Sequence, residues 1–382
     1  MTRDQLPDET RRVVDAVRRA DLPDGLLESV VAEVEVTPQE RAFRIAWLPA
    51  ASGVAVAAAV VAVAVFAGGR IGSFGGSPSP SSATASGAPT SVPLDELPLA
   101  GAIEGQTRVA DGAHPGSADP TSVWLGSEAT GEILRVDPAT GEIIGMVQVN
   151  EPTTEEYDLW PASDGTSVWA AGRDDRALVQ IEISSLAVTN RFPIEAVPYR
   201  IAPVGSVVWL TDFDGGRVLQ VNAQTGTVIS TTPLNDATGI AVTPDAVWVA
   251  TYIGQLARID PTNGRVADTF EIAGNATDVQ AVGDALWISG IHGRRLERLD
   301  PELGVVVAWT DRVRAVAFVD GEPWATVEGG LVTLDPDTLQ RTGAVPMRGV
   351  ETDQLVAAAG RLWAYGGTSD GTLLYAVLPD GG

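Results

Sequence analysis

Seven tryptophans punctuate the chain from residue 124 onward at nearly equal intervals. They are Trp124, Trp169, Trp209, Trp248, Trp287, Trp324 and Trp363, with spacings of 45, 40, 39, 39, 37 and 39 residues. Each sits in a short apolar run followed by a second run and a turn. Clear copies are SVWLGSEATGEILRVDPATGEIIGMVQV from Ser122, VVWLTDFDGGRVLQVNAQTGTVISTTPL from Val207 and AVWVATYIGQLARIDPTNGRVADTFEI from Ala246. A period near 40 built from short alternating strands predicts a β-propeller with four strands per blade. Seven markers predict seven blades.

Each unit reads physically. An apolar strand such as Thr238–Val242 lines the axis, and the tryptophan strand follows, with Trp248 on the face opposite Val247 and Val249. A large ring at one place in every blade suits the packing of sheet on sheet. The third strand, Leu256–Asp260, runs into Pro261-Thr-Asn-Gly264, a turn repeated as Asp137-Pro-Ala-Thr-Gly141 and Asn222-Ala-Gln-Thr-Gly226. The Asp or Asn side chain bonds the turn's own amides, and glycine supplies the positive φ. Blade two has Ser184-Ser185-Leu186 and no glycine, so its turn is expected to differ. The last unit stops after the strand Leu373–Leu378, without an outer strand. An open edge invites aggregation, and the spare stretch Leu97–Glu104 is expected to fill it.

Tryptophan-strand repeats with D-P-x-T-G turns, over residues 99–382, resemble the YVTN-type, NHL-like and streptogramin-lyase-like superfamily of bacterial seven-bladed propellers. The resemblance implies that the loops after each tryptophan strand and those between blades share one face, around a channel mouth. On that face the ligand-binding candidates are Arg173, Asp175, Asp212, Asp214, Tyr252, His292, Arg294 and Glu328. Streptogramin lyases use a histidine–glutamate arrangement with magnesium, which here would fall to His292 as general base and to Glu328. His114 lies in the irregular stretch before the first tryptophan and receives no place in this site. Asp212-Phe-Asp214-Gly-Gly216 pairs two carboxylates ahead of a glycine turn. It lacks the remaining ligands of a calcium loop, so turn chemistry is expected, with no metal and no cofactor.

The first quarter is built differently. Ile45–Ala67 is free of charge and apolar, and as a helix of 23 residues it reaches about 34 Å, enough to cross a membrane. Residues 68–98 are rich in Gly, Ser and Pro and read as a tether. Forty-four residues with ten acids precede the span, unlike the short basic start of a cleaved signal peptide. Arg41 and Arg44 before the span, against Arg70 after it, favour an inward N-terminus. Residues 1–44 carry two apolar stripes of helical period and the capping box Thr37-Pro-Gln-Glu40. Such an arm before one span resembles the layout of bacterial transmembrane anti-sigma factors and implies a cytoplasmic protein partner.

Composition sharpens these expectations. The formal charge is −25, every basic residue is arginine, and there is no cysteine. Phosphate backbones repel such a chain, so no nucleic-acid partner is expected. Thiolate catalysis, disulfides and cysteine-based metal sites are excluded. Residues 99–382 hold 17 arginines and 38 acids, a net of −21. The expected molecule is all-β in its main domain: a cytoplasmic arm (1–44), a transmembrane helix (45–67), a linker (68–98) and an outward seven-bladed propeller (99–382). Its expected role is non-catalytic binding of a protein, cell-wall component or small ligand at the channel mouth.

Overall fold

In a computed structural model of the chain, the described residues are 92–380, apart from 111, 128, 153–158, 173–175, 291–294, 303, 310–311 and 369–370. The expected arm, span and most of the tether lie outside them. Among the described residues no helix is long and apolar enough to cross a membrane.

The described residues form seven four-stranded antiparallel sheets, one for each tryptophan. Six follow the chain directly, the first being β2 (Ala113–Asp119), β3 (Ser122–Ser127), β4 (Glu132–Val136) and β5 (Ile143–Gln148). The seventh is ordered β1–β28–β27–β26, so its outer strand comes from the other end of the domain. Here β1 is Gly101–Arg108, β26 is Glu351–Ala358, β27 is Arg361–Thr368 and β28 is Gly371–Pro379. The pairing runs from Gly101 opposite Pro379 to Arg108 opposite Leu373. The expected closing strand is therefore present, four residues later in its start than the sequence suggested.

The segment before β1 is also engaged. Leu94 and Leu97 pack against the core of blade six, and Leu99 makes a parallel bridge to Ala344. Arg341 Nη1 donates to the Val92 carbonyl at 2.8 Å. The tether expected to run to residue 98 is thus already held from Val92 onward.

Seven hydrophobic clusters account for the seven blade-to-blade contacts, and each contains one marker tryptophan facing the next blade. Trp209 packs with Val247, Val249 and Ile259 of blade four. Trp248 turns the other way, onto Val279, Leu286 and Ile288 of blade five, as the alternation of the strand requires. Trp363 packs onto Val123, Leu125, Leu134 and Val136 of blade one, which closes the ring. All seven tryptophans are no more than 4% exposed.

Local chemistry sets the turns between third and fourth strands. Asp137 accepts from the amides of Ala139 and Thr140 at 2.6 and 3.2 Å, while the Gly141 amide reaches back to the Asp137 carbonyl at 2.8 Å. Asn222 repeats this with Gln224 and Thr225. Blade two does not build the different turn that its sequence implied. The Leu186 amide donates to the Glu182 carbonyl at 2.9 Å, and Leu186 itself takes the left-handed position, at φ 56°. The backbone loop is kept with an unfavourable residue because the strand pairs on either side demand it.

Candidate functional site

The innermost strand of each blade begins at the end of the ring reached by the inter-blade loops, here called the mouth. These strands are β2, β6 (Ala162–Ser163), β10 (Pro198–Val204), β14 (Ala237–Val242), β18 (Asp278–Val282), β22 (Val316–Val319) and β26. Four of them slip register close to the mouth. The breaks lie between Pro115 and Ser117, Pro198 and Arg200, Ala237 and Ile240, and Thr352 and Gln354. A bulge throws a residue out of the ladder and re-aims its neighbours. At two of these breaks the displaced residues are functional types, Tyr199 and Asp353. At the other two, glycine lets neighbouring inner strands pass closely. A Cβ on Gly116 would lie 2.5 Å from Pro161, and one on Gly239 would lie 2.8 Å from the Asp278 backbone.

Threonines at the ends of the tryptophan strands hold the bulged segments. The Arg200 amide donates to Thr211 Oγ1 at 3.0 Å, and Thr211 Oγ1 donates to the Thr238 carbonyl at 2.8 Å in the next blade. The Arg314 and Ala315 amides both donate to Thr326 Oγ1, at 3.2 and 3.0 Å. Buried hydroxyls thereby fix the backbone beneath the two arginines of the mouth.

Arg314 binds both Glu351 and Asp353 across the blade six–seven boundary. Burial pushes the Asp353 carboxyl above its ordinary value, further than the Arg314 charge pulls it down, and Glu351 adds to the rise. Burial works to lower the Arg314 guanidinium, but Asp353 and Glu351 outweigh it and hold that group higher still. His114 belongs to this neighbourhood, where its imidazole, when protonated, works to lower the Asp353 carboxyl. The structure therefore corrects the exclusion of His114. It sits on the inner strand of blade one, with its ring 4.6 Å from that of Tyr365 and 5.8 Å from that of Trp160.

From there an aromatic arc continues around the mouth. The Arg200 guanidinium lies over Trp160, 3.6 Å from the ring centroid, and 5.0 Å from the Tyr199 ring. Tyr199 meets Phe213 at 6.1 Å, and Phe213 meets Tyr252 edge-on at 6.3 Å. Tyr252 is 36% exposed and its neighbour Ile253 is 64% exposed. The arc joins blades seven, one, two, three and four. It offers flat apolar faces, one stacked arginine and one arginine–carboxylate cluster, which is equipment for recognition.

The candidates named from the sequence divide. Arg173, Asp175, His292 and Arg294 lie outside the described residues. Tyr252 belongs to the arc. Asp212 faces inward and is only 2% exposed. It accepts from Arg217 Nε at 2.8 Å and from the Gly215 and Val197 amides at 3.0 and 3.2 Å. Those bonds make it a loop-building carboxylate, in line with the turn chemistry expected of it. Asp214 and Glu328 are exposed on their loops. Among the described residues no group of three or more His, Asp or Glu is placed to hold a metal ion. On the same end of the ring, but at its outer rim, a cleft of about 560 Å³ opens between β5 and β9 (Val188–Pro193), lined by Gln148, Asn150, Glu151 and Arg191.

Reasoning from sequence missed His114, Trp160, Tyr199, Arg200 and Arg314; it placed Glu351 and Asp353 among the acids of the inter-blade loops, without their arginine partner. One signal was available. These residues stand at the heads of inner strands, next to a proline (His114-Pro115, Trp160-Pro161, Pro198-Tyr199) or just before an apolar strand (Arg314).

No protein-family model matches the chain, and no curated protein matches it. Solved structures do, in 1519 chains, so the likeness identifies a widespread architecture rather than an activity. The β-propeller domain of Myceliophteria thermophila Cps50 (Swd1) covers 73% of this chain and matches over 100% of its own length, with TM-score 0.61 and 13% identity. BamB from Moraxella catarrhalis covers 69% of this chain and 84% of its own, with TM-score 0.49 and 17% identity. At such identities the likeness to the Cps50 domain shows the fold alone: this chain is similar to it as one β-propeller is to another.

Proposed function

We propose that the chain is a non-catalytic binding module, anchored in a membrane through residues 45–67, with the propeller outside and its mouth as the recognition surface. The observation that carries this reading is the arc Tyr365–His114–Trp160–Arg200–Tyr199–Phe213–Tyr252, gathered from five blades onto one end of a rigid ring. Rigid aromatic faces bury large area at small entropic cost, and loops on a fixed scaffold are where recognition concentrates. On this reading the domain belongs with YVTN-type and NHL-like propellers, and residues 1–44 form a cytoplasmic arm able to dock a protein. The lyase-like alternative needs His292 beside Glu328, and His292 is outside the described residues.

Site-specific photo-crosslinking in the native membrane tests the reading. A crosslinker at Tyr252 is expected to give discrete adducts, and one at Thr262, on the opposite end of blade four, none. Equal yields from both positions would count against the mouth. Protease added to intact cells is expected to remove the propeller and spare an N-terminal fragment; full protection would refute the outward orientation.

A further inference from the structure

We propose that Arg200 is a receptor for the carboxylate of a ligand whose flat or apolar body lies along Tyr199, Phe213 and Tyr252. This rests on the reading of the mouth as the recognition surface and adds the chemistry of what it takes.

Three observations converge on Arg200. Its guanidinium is laid on Trp160 at 3.6 Å, so the stack holds the plane while leaving the N–H fork at the edge. Its only side-chain hydrogen bond among the described residues is a long one, Nη1 to the Tyr199 carbonyl at 3.4 Å. Among the described residues no carboxylate pairs with it, whereas Arg217, Arg295, Arg314 and Arg361 each hold one.

Trp160 beneath Arg200 is 7% exposed, and its Nε1 is buried with no acceptor among the described residues. A buried donor without a partner costs free energy that an incoming acceptor recovers. The guanidinium fork asks for an anion with two acceptor oxygens, and a carboxylate matches that fork in a bidentate way. Phosphate would match it too, but a dianion is opposed more strongly by the net −21 of the domain. The aromatic surface beside the fork favours an organic acid over a bare ion: Tyr199 touches both Arg200 and Phe213, and Phe213 leads to the exposed Tyr252.

The test uses the full chain in detergent and three probes: 4-phenylbutyrate, its uncharged amide, and inorganic phosphate, titrated by ligand-observed NMR. The acid is expected to bind saturably, with the amide weaker by about 10-fold or more, the ratio of one charge-assisted hydrogen bond. Phosphate is expected to compete no better than the amide. Arg200→Gln should erase the preference for the acid, and Arg200→Lys, which keeps the charge but loses fork and stack, should restore only part of it. Thermal unfolding of each variant shows whether the fold is intact, and the lysine variant carries the test if the glutamine variant fails to fold. Tyr252→Ala should weaken acid and amide alike. If the native chain shows no preference for the acid, if phosphate competes equally, or if Arg200→Gln keeps the preference, the proposal is wrong. Loss of binding in Tyr252→Ala with Arg200→Gln unaffected would sink the carboxylate receptor and leave the mouth standing. No effect from either variant would sink both.

Discussion

The two ends of the ring use the same acidic residues for opposite purposes. At the end away from the mouth, aspartates are consumed by their own turns. Asp119 accepts from Thr121 and from the indole of Trp124 at 2.8 Å, and Asp164 does the same for Thr166 and Trp169. Burial would raise both carboxyls, but the hydrogen bonds outweigh it and hold them below the ordinary value. Asp260 and Asp335, in exposed turns, are lowered chiefly by the Thr262 hydroxyl and the Thr338 amide. At the mouth the balance reverses: burial wins at Asp353, and its partner Arg314 comes from another blade. The far end uses acids to finish the fold, as Asp212 does for one loop at the mouth. The other holds a half-buried carboxylate at some cost, which is where a functional surface is to be expected.

This contrast also explains what was legible. Turn-face partners lie two to five residues apart, as in Asp119 with Thr121 and Trp124, so a reader of the sequence meets them together. The tryptophan period likewise gives blade number, packing face and the need for a closing strand. At the mouth, Arg200 meets Trp160 from 40 residues away, Arg314 meets Asp353 from 39, and His114 meets Tyr365 only through ring closure. No local pattern announces such neighbours. Tyr252 is legible because its loop follows a tryptophan strand, whereas His114 is hidden in a strand broken by a proline and a bulge. Leu186 shows the converse: the sequence broke the turn rule and the backbone kept the turn.

Four measurements sharpen or break the comparison. Both ends depend on the inter-blade tryptophans, so Trp363→Ala should be the most damaging, at about 3–5 kcal/mol in urea unfolding. Asp119→Ala should cost about 1–3 kcal/mol, because it strands the buried indole N–H of Trp124; a cost below about 0.5 kcal/mol would erase the distinction between the ends. Asp353→Asn should cost less than about 1 kcal/mol or stabilise slightly at neutral pH, since its side chain is 38% exposed and screened. The pH dependence of these two variants should have opposite sign. Asp119, with a lowered folded pKa, contributes stability that is present above the unfolded carboxylate value of about 4 and is lost as the pH falls through the folded value. Asp353, with a raised one, contributes fully below that value and loses its contribution as the pH rises through the folded pKa. Melting temperatures of the native chain and Asp119→Ala should therefore converge in acid, and those of the native chain and Asp353→Asn should draw apart as the pH rises. Tyr252→Ala should be smallest, within about 0.5 kcal/mol of native stability, because the residue is 36% exposed and meets Phe213 only edge-on.

The joint between β1 and β28 has a consequence in time. Gly101 and Pro379 are neighbours in the sheet, yet one leaves the ribosome near the start of the domain and the other at its very end. Until then the first blade has no Trp363 against its face and β1 has no partner. Contacts of such long sequence separation are slow to form, and unpaired strand edges stay open to other chains while they wait. The strap of residues 92–100 along blade six lies on the same route, and it can seat only after the sixth blade has been made. Biosynthesis thus contains one late, all-or-nothing event, and any condition that delays the final blade lengthens the interval in which the chain is open to misassembly.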